Sequence, residues 1–428
     1  MVNASSPTTA WDAIRSDALA RLERERIDPV LDLDGVATAV GQAVDDYQRR
    51  AHRGGGKALA DPTETTQRLV VAITGFGPLA DLLRRPGVEE IFIEGGRVSY
   101  LDETGRLQGL AMPTTVEENR QVVDRLLAAT QRTLDHRTPL VQARVLDGTA
   151  RLTASQPPIS DELSATIRRH LTRRESLRSL VDRGTLTPAA GGLLWSLMQA
   201  STGVVISGAP GSGKTSLLAA MLSAAPSTSC IRVAEEIREL SVPLTHGGYY
   251  EARPPSLDGS GEVSLRALLK FLLAMRPDRI VVGEVRGAEA FELTRAVNAG
   301  CGFACTVHSN SARDALSALV NAATMAGENV REDVVRRVFA SAIDVVVHVD
   351  REEVHATSGG IRRHVMEIEA VVPSLTDGFS TETLFRREHF AAPLEWTGTL
   401  PGDLERLSRR LPPELPIAGI LAGRVSPL

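Results

Sequence analysis

Apolar and polar positions along the chain fall into two regimes. In the first, amphipathic helices and alternating strands are mixed. Over residues 8–30, Trp11, Ile14, Ala18, Leu19 and Leu22 recur at helical spacing, opposite Arg15, Asp17, Arg21, Glu23 and Arg24. Such a face docks either a partner or the rest of its own chain. Residues 52–58 (HRGGGKA) read as a flexible break. Residues 75–79 carry turn chemistry, and 88–93 and 97–101 read as strands around Gly95-Gly96. Thr115-Val-Glu-Glu118 is a capping box that opens a helix with Val122, Val123, Leu126 and Leu127 on one face. Residues 141–145 and 150–154 flank Asp147-Gly148, a hairpin signal, and 166–170 close the unit. This half predicts a helical N-terminal extension (1–60), a small α+β domain (61–170) and a charged linker (171–187).

The second regime begins near Gly184. Short β-branched runs at 204–207, 231–234, 280–282, 304–307 and 345–349 alternate with helical patterns. That alternation predicts an α/β domain with a mainly parallel sheet over 188–372. The chain then becomes proline-punctuated, and 373–428 reads as a C-terminal extension without an assigned role.

Composition narrows the possibilities. The chain has 428 residues, 43% of them hydrophobic, so it has room for two or three globular domains. A net charge of −5 and only 4% aromatics argue against a polyanion-binding chain or a base-stacking platform, so nucleic acid is not an expected partner. Cys230, Cys301 and Cys305 do not make a disulfide scaffold. The start of the chain has no apolar export segment, and no apolar run is long enough to span a membrane. A cytoplasmic protein, or one peripheral to a membrane, is expected.

The chemistry concentrates at one stretch, VVISGAPGSGKTSLLAAML, beginning at Val204. A strand runs into Gly208-Ala209-Pro210-Gly211-Ser212-Gly213-Lys214-Thr215, a full phosphate-loop match, and then into a helix. Gly208, Gly211 and Gly213 let the backbone pass close to a ligand, and successive N–H groups cradle a phosphate at a helix N-terminus. Lys214 supplies a mobile charge to the β- and γ-phosphates, and the Thr215 hydroxyl is a Mg²⁺ ligand. Ser216 completes the nucleotide-contacting run. Only three of the 48 basic residues are lysine, namely Lys57, Lys214 and Lys270. An arginine-biased chain thus keeps a lysine where a compact ammonium is needed.

Three further stretches carry candidates. In MRPDRIVVGEVRG, a buried strand ends at Gly283-Glu284, where a carboxylate can face Mg²⁺ and polarise the attacking water. In IRVAEEIREL, the adjacent acids Glu235 and Glu236 need a cation or an arginine between them, or else diverge into water. In TVHSNS, His308 stands at a strand end, able to bond a γ-phosphate or to serve structure only. Cys301-x₃-Cys305-x₂-His308 has metal-like spacing, but it overlaps a buried strand and lacks a fourth ligand.

Together, GFGPLADLL…VEEIFIEGG, LVQARVLDGTARL, the phosphate loop, Glu235-Glu236, Glu-Ala-Arg-Pro-Pro at 251–255, MRPDRIVVGEVRGAEA and TVHSNSARDAL resemble the secretion ATPases of type II and type IV systems. Within that superfamily they resemble the branch that powers tight-adherence (Flp) pili. The resemblance spans roughly residues 70–372. It implies a RecA-like P-loop NTPase domain behind a smaller N-terminal domain, a homo-hexameric ring with ATP and Mg²⁺ bound between domains, and inner-membrane platform partners. By position Glu284 matches the Walker B glutamate, Glu235 and Glu236 the acidic box with its metal-facing carboxylate, and His308 the histidine box. Arg253, Arg276 and Arg286 match arginines expected near the nucleotide, with Arg144 or Arg151 as candidates from the N-terminal domain. Three departures stand out: Glu236 where aspartate is usual, Ala274 where the family often has a second arginine, and Cys301 in a shortened loop before the histidine box.

Overall fold

The computed structural model describes residues 10–428 except 30, 56, 103–104, 112, 131, 170–174, 256–258, 299, 328, 354–360, 375–377 and 401–406. It divides into two compact units, Met1–Leu171 and Thr172–Leu428.

The first unit contains helices α1 (Ala10–Glu25), α2 (Leu33–Arg50), α3 (Pro62–Thr74), α4 (Ala80–Arg84) and α5 (Val116–Ala128). Its strands are β1 (Glu90–Glu94), β2 (Arg97–Leu101), β3 (Leu107–Gly109), β4 (Leu140–Val145), β5 (Ala150–Ser155) and β6 (Ser164–Arg169). The sheet order is β3-β2-β1-β6-β5-β4, with every neighbouring pair antiparallel. Residues expected as a separate extension are packed into the unit's core. Ile14, Ala18, Leu22, Val36, Val40 and Val44 of α1 and α2 share one apolar cluster with Ile91, Ile93, Leu152 and Ile167 of the sheet. Leu19, read as part of the apolar stripe, is instead 42% exposed. The capping box at Thr115 and Glu118 forms in both directions. At the β4–β5 turn, Leu146, Asp147 and Gly148 all take positive φ, and the Arg144 guanidinium folds over Gly148, where a Cβ would collide with it. On the side facing away from the core, Arg144, Arg151 and Arg168 stand directly opposite one another across β4, β5 and β6.

The second unit contains α6 (Leu177–Asp182), α7 (Pro188–Met198), α8 (Lys214–Ser223), α9 (Leu265–Leu273), α10 (Ala290–Asn298), α11 (Ala312–Thr324), α12 (Glu332–Ala342) and α13 (Ile417–Leu421). Its strands are β7 (Gly203–Ser207), β8 (Cys230–Glu235), β9 (His246–Glu251), β10 (Arg279–Val282), β11 (Gly302–Val307), β12 (Val345–Glu353), β13 (Ile361–Ser374), β14 (Gly378–Arg386) and β15 (Glu395–Trp396). The order is β15-β14-β13-β12-β7-β11-β10-β8-β9. From β12 to β9 all neighbours are parallel, while β12 through β15 pair antiparallel, so the sheet is mixed. Every residue of β7, β10 and β11 is buried, as expected for strands covered on both faces.

Two sequence assignments change here. The stretch read as a linker holds α6, whose Leu177 and Leu180 join the core of this unit. The C-terminal residues without a role complete the sheet and bury Leu384, Phe385, Leu394, Ile417, Ile420 and Leu421 in that core. At the edge away from the phosphate loop, Arg279 is fully buried and donates to the carbonyls of Leu197, Ala200, Thr202 and Phe303. Burial lowers its pKa to about 10, so it stays charged at neutral pH, and the carbonyl dipoles stand in for an anion.

Candidate functional site

The site is built where β7, β10 and β11 end. Strand β7 stops at Ser207, the chain loops through residues 208–213, and α8 starts at Lys214. Gly208, Gly211 and Gly213 have φ of 151°, 74° and 95°, in the region that glycine tolerates. A Cβ on Gly208 would lie 2.1 Å from the Val349 carbonyl oxygen, so the loop fits against β12 only with glycine there. Among the described residues, the N–H groups of Gly211, Gly213 and Thr215 have no protein acceptor. The buried Ser212 hydroxyl has no partner either. Unmet donors converging on a loop at a helix N-terminus fit a phosphate group. The oxygen donors at hand, Thr215 at the start of α8 and Glu284 after β10, suit Mg²⁺, which takes one or two protein oxygens and completes its shell with phosphates and water. Ala209, Pro210 and Ser216 lie in or beside the same loop, with Pro210 and Ser216 exposed.

Four predicted residues come together. The Lys214 ammonium donates to the carbonyls of Gly208 (2.8 Å) and Ala209 (3.0 Å) and lies 3.1 Å from Nδ1 of His308. The other ring nitrogen of His308 meets Oε1 of Glu284. Oε2 of Glu284 accepts from Nε of Arg286 at 2.6 Å. A cation, an imidazole, a carboxylate and a second cation are thus joined in one chain beside the loop. The topology explains the meeting, because β7, β11 and β10 are adjacent parallel strands and the four residues follow their C-terminal ends.

The two acids of the acidic box separate. Glu235 is buried and accepts from the backbone N–H groups of Glu239 and Leu240, so its carboxylate closes the turn after β8. Burial pushes its carboxyl up to about 7, against the pull of those N–H groups. Glu236 is exposed. The expectation of a cation between the pair, or of both acids in water, is not met: the two separate, and only Glu236 reaches water. Arg253 bridges backbone-to-backbone with Val263 and donates from Nε to the Gly261 carbonyl. Arg276 is exposed and holds φ at 49°, unusual for a residue with a side chain. Among the described residues, neither Glu236, Arg253 nor Arg276 makes a hydrogen bond or ion pair to the phosphate loop. The metal-like cysteines are buried, and the Cys301 thiol, raised to about 11 by burial, donates to the Gly302 carbonyl.

Sequence reading missed three residues at or beside the loop. His348, buried on β12, sits 2.9 Å from the Ser207 hydroxyl through Nδ1, and burial lowers its pKa. Arg363 on β13 donates from Nε to the Gly211 carbonyl at 2.9 Å, and its stem packs on Gly213. Arg351 on β12 brings Nη1 against Gly211.

The chain is similar to several known proteins. The profile of the family described as type II/IV secretion system protein matches residues 97–366. A putative conjugal transfer protein of Mycobacterium tuberculosis is 33% identical over 294 residues, covering 66% of this chain and 82% of that protein. The type IV secretion system protein VirB11 of Bartonella henselae is 26% identical over 333 residues, covering 68% and 92%. Among solved structures, the pilus retraction motor PilT with bound ADP gives a TM-score of 0.49 at 18% identity, covering 68% of this chain and 80% of that one. With the family profile matched over more than half of its length, the chain belongs to the type II/IV secretion system proteins, a family of ATPases.

Proposed function

We propose that this chain is an ATP hydrolase that works as a homo-hexamer, docks from the cytoplasm on inner-membrane platform proteins, and converts ATP hydrolysis into subunit motion for pilus assembly or protein export. Within the family we assign it to the tight-adherence pilus branch on the motif series in its sequence. The observation that carries the enzymatic part is the connected chain Lys214–His308–Glu284–Arg286 beside the phosphate loop.

That chain suggests how the residues act. In the structure Lys214 donates to the loop's own carbonyls and lies against His308. When a triphosphate enters, the β- and γ-oxygens offer the ammonium better acceptors, and it turns to them. His308 then loses its contact with Lys214 but still holds Oε1 of Glu284. Glu284, oriented by His308 and Arg286, takes up the attacking water and accepts its proton at a carboxylate oxygen. Bound Mg²⁺, with Thr215, Glu236 and Glu284 as the assigned oxygen donors, would neutralise charge across the β- and γ-phosphates. Arg253 and Arg276 are exposed and unbonded to their own loop, which suits cations offered to a neighbouring protomer's nucleotide.

A second reading, a conjugation-type motor acting on DNA, is favoured by the relative named for conjugal transfer. The two separate experimentally, since a DNA motor shows DNA-stimulated hydrolysis that falls steeply with salt. The central test is phosphate release by the purified full chain, with size measured with and without ATP. The proposal expects hydrolysis, a nucleotide-dependent hexamer, and loss of turnover in Lys214→Ala. A monomer without ATP affinity, or a Lys214→Ala protein with normal turnover, would refute it.

A further inference from the structure

Val307, Ser207, His348 and Glu367 stand side by side at one register across β11, β7, β12 and β13. Residues paired in neighbouring strands lie on the same face of a sheet. That face carries α11, because Val307 and Val346 share one apolar cluster with Ala312, Ala315 and Leu319. The row also marks the line where two strands leave the sheet for the site. One residue past Val307 is His308, and one residue past Ser207 is Gly208, whose carbonyl accepts from Lys214.

Three members of the row are polar. Ser207 is buried, and its hydroxyl lies 2.9 Å from Nδ1 of the buried His348. Glu367 is next, between His348 on β12 and Arg386 on β14. Its Oε1 accepts from the backbone N–H of Ala312 at 2.8 Å, 55 positions away in sequence. Ala312 is the first residue of α11, so this N–H is one of the donors that a helix leaves without an internal acceptor. A carboxylate there also meets the positive end of the helix dipole. The Ser311 cap serves a different donor, the N–H of Asp314.

The Glu367 bond therefore fixes the far end of the segment 308–311, whose near end is β11. Inside that segment the Ser309 hydroxyl donates to the Ser311 carbonyl. His308 is its first residue and makes both contacts of the connected chain, to Lys214 through Nδ1 and to Glu284 through Nε2. A shift of the start of α11 moves that ring relative to both partners.

We propose that Glu367 is a positioning residue for ATP hydrolysis: by anchoring the first turn of α11 to β13, it sets where the segment 308–311 holds the His308 ring between Lys214 and Glu284. This rests on the phosphate-loop ATPase reading and adds to it a residue from the far side of the sheet. Glu367 acts through His308, so it affects the chemical step more than nucleotide binding.

The test is steady-state ATP hydrolysis by the full chain carrying Glu367→Ala, His308→Ala or both. Glu367→Ala should lower kcat about tenfold and change KM for ATP by less than about twofold, as expected when a group that orients a reacting residue is lost. Added to His308→Ala, it should cost nothing further, because the ring it positions is already gone. Two further variants separate reach from charge. Glu367→Gln keeps an acceptor oxygen at the same reach and should recover most of the loss, while Glu367→Asp keeps the charge one methylene short of Ala312 and should be impaired like Glu367→Ala. Should Glu367→Ala fail to fold, the Gln and Asp pair decides by itself. A full tenfold loss in the His308→Ala background, an unchanged kcat in Glu367→Ala, or Gln no better than Asp would each overturn the anchor. A wild-type chain without ATP turnover, or a His308→Ala protein with normal turnover, would instead sink the reading in which His308 acts, and the anchor with it.

Discussion

The ammonium nitrogen of Lys214 lies 3.1 Å from Nδ1 of His308, across 94 positions of sequence. An ammonium can only donate, so toward Lys214 Nδ1 is the acceptor, while the Gly208 carbonyl, which can only accept, stands 3.3 Å from the same nitrogen. The other ring nitrogen, Nε2, faces Oε1 of Glu284. The imidazole thus links Lys214, proposed to hold the phosphates, to Glu284, proposed to address the water. On the proposed mechanism, loss of Lys214 to the nucleotide is felt at Glu284 through one ring.

Replacing Glu284 by Gln keeps its size and its contact with His308 but removes the proton acceptor. Turnover should fall by about 10²–10⁴-fold, the scale of a lost general base. ATP affinity should change little, because the phosphate loop and Lys214 remain. Single-turnover phosphate release together with nucleotide binding checks this; an unchanged rate would remove Glu284 from its role.

His308 touches Glu284 and Lys214 and, on the proposed mechanism, acts through them as a positioning residue. His308→Ala should lower kcat by about 10–100-fold with little change in KM for ATP, as expected when the group orienting a reacting residue is lost. His308→Gln can still donate one N–H toward Glu284 and should recover part of the loss. If the two variants are equally impaired, the donated proton is not what matters.

How much of this was legible in the sequence differs by residue. The phosphate loop was readable because its geometry is local: glycines at fixed offsets between a strand and a helix suffice. Glu284 and His308 were readable because parallel strands in an α/β sheet end at the same edge, so strand-end polar residues converge. Arg351 and Arg363 were not, because their position depends on a hairpin folding back beside β7, and an antiparallel return carries no local mark of which neighbour it meets. The same applies to the C-terminal residues, whose prolines hid strands β14 and β15. Leu19 misled because a wide apolar stripe on α1 exceeds what its neighbours cover. Glu235 and Glu236 looked alike in sequence; only burial distinguishes the acid that closes the turn from the one in water.

Glu235 makes the stability of the second unit depend on pH. Its carboxyl ionises near 4.5 when unfolded and near 7 when buried. Between those values the folded chain holds the extra proton. The contribution of the neutral buried acid is therefore complete below about pH 4.5 and is lost as pH rises through 7. The full difference corresponds to about 3 kcal/mol. Glu235→Gln, which cannot ionise and can still accept from Glu239 and Leu240, should raise Tm at pH 8 by several degrees, with the advantage gone at pH 5. Melting curves across that range decide it, and a pH-independent offset would assign the effect to packing.

Gly283 explains why that acid stays where it is. The residue sits between β10 and Glu284, and a Cβ there would come within 2.6 Å of Cγ and 2.8 Å of Oε1 of Glu235. Glu235 cannot yield cheaply, since it is buried and tied to two N–H groups of the following turn. Nor can Gly283 move freely, because its N–H donates to the Ala234 carbonyl and its own carbonyl accepts from Thr306. Gly283→Ala should therefore destabilise the second unit by about 1–3 kcal/mol, the usual cost of overpacking a tight contact. Because the clash is with one side chain, Glu235→Ala in the same protein should return part of that loss, a non-additivity that independent sites would not show. Denaturant unfolding of the two single variants and the double variant measures the coupling. Simple additivity would mean that Gly283 is required by something other than Glu235.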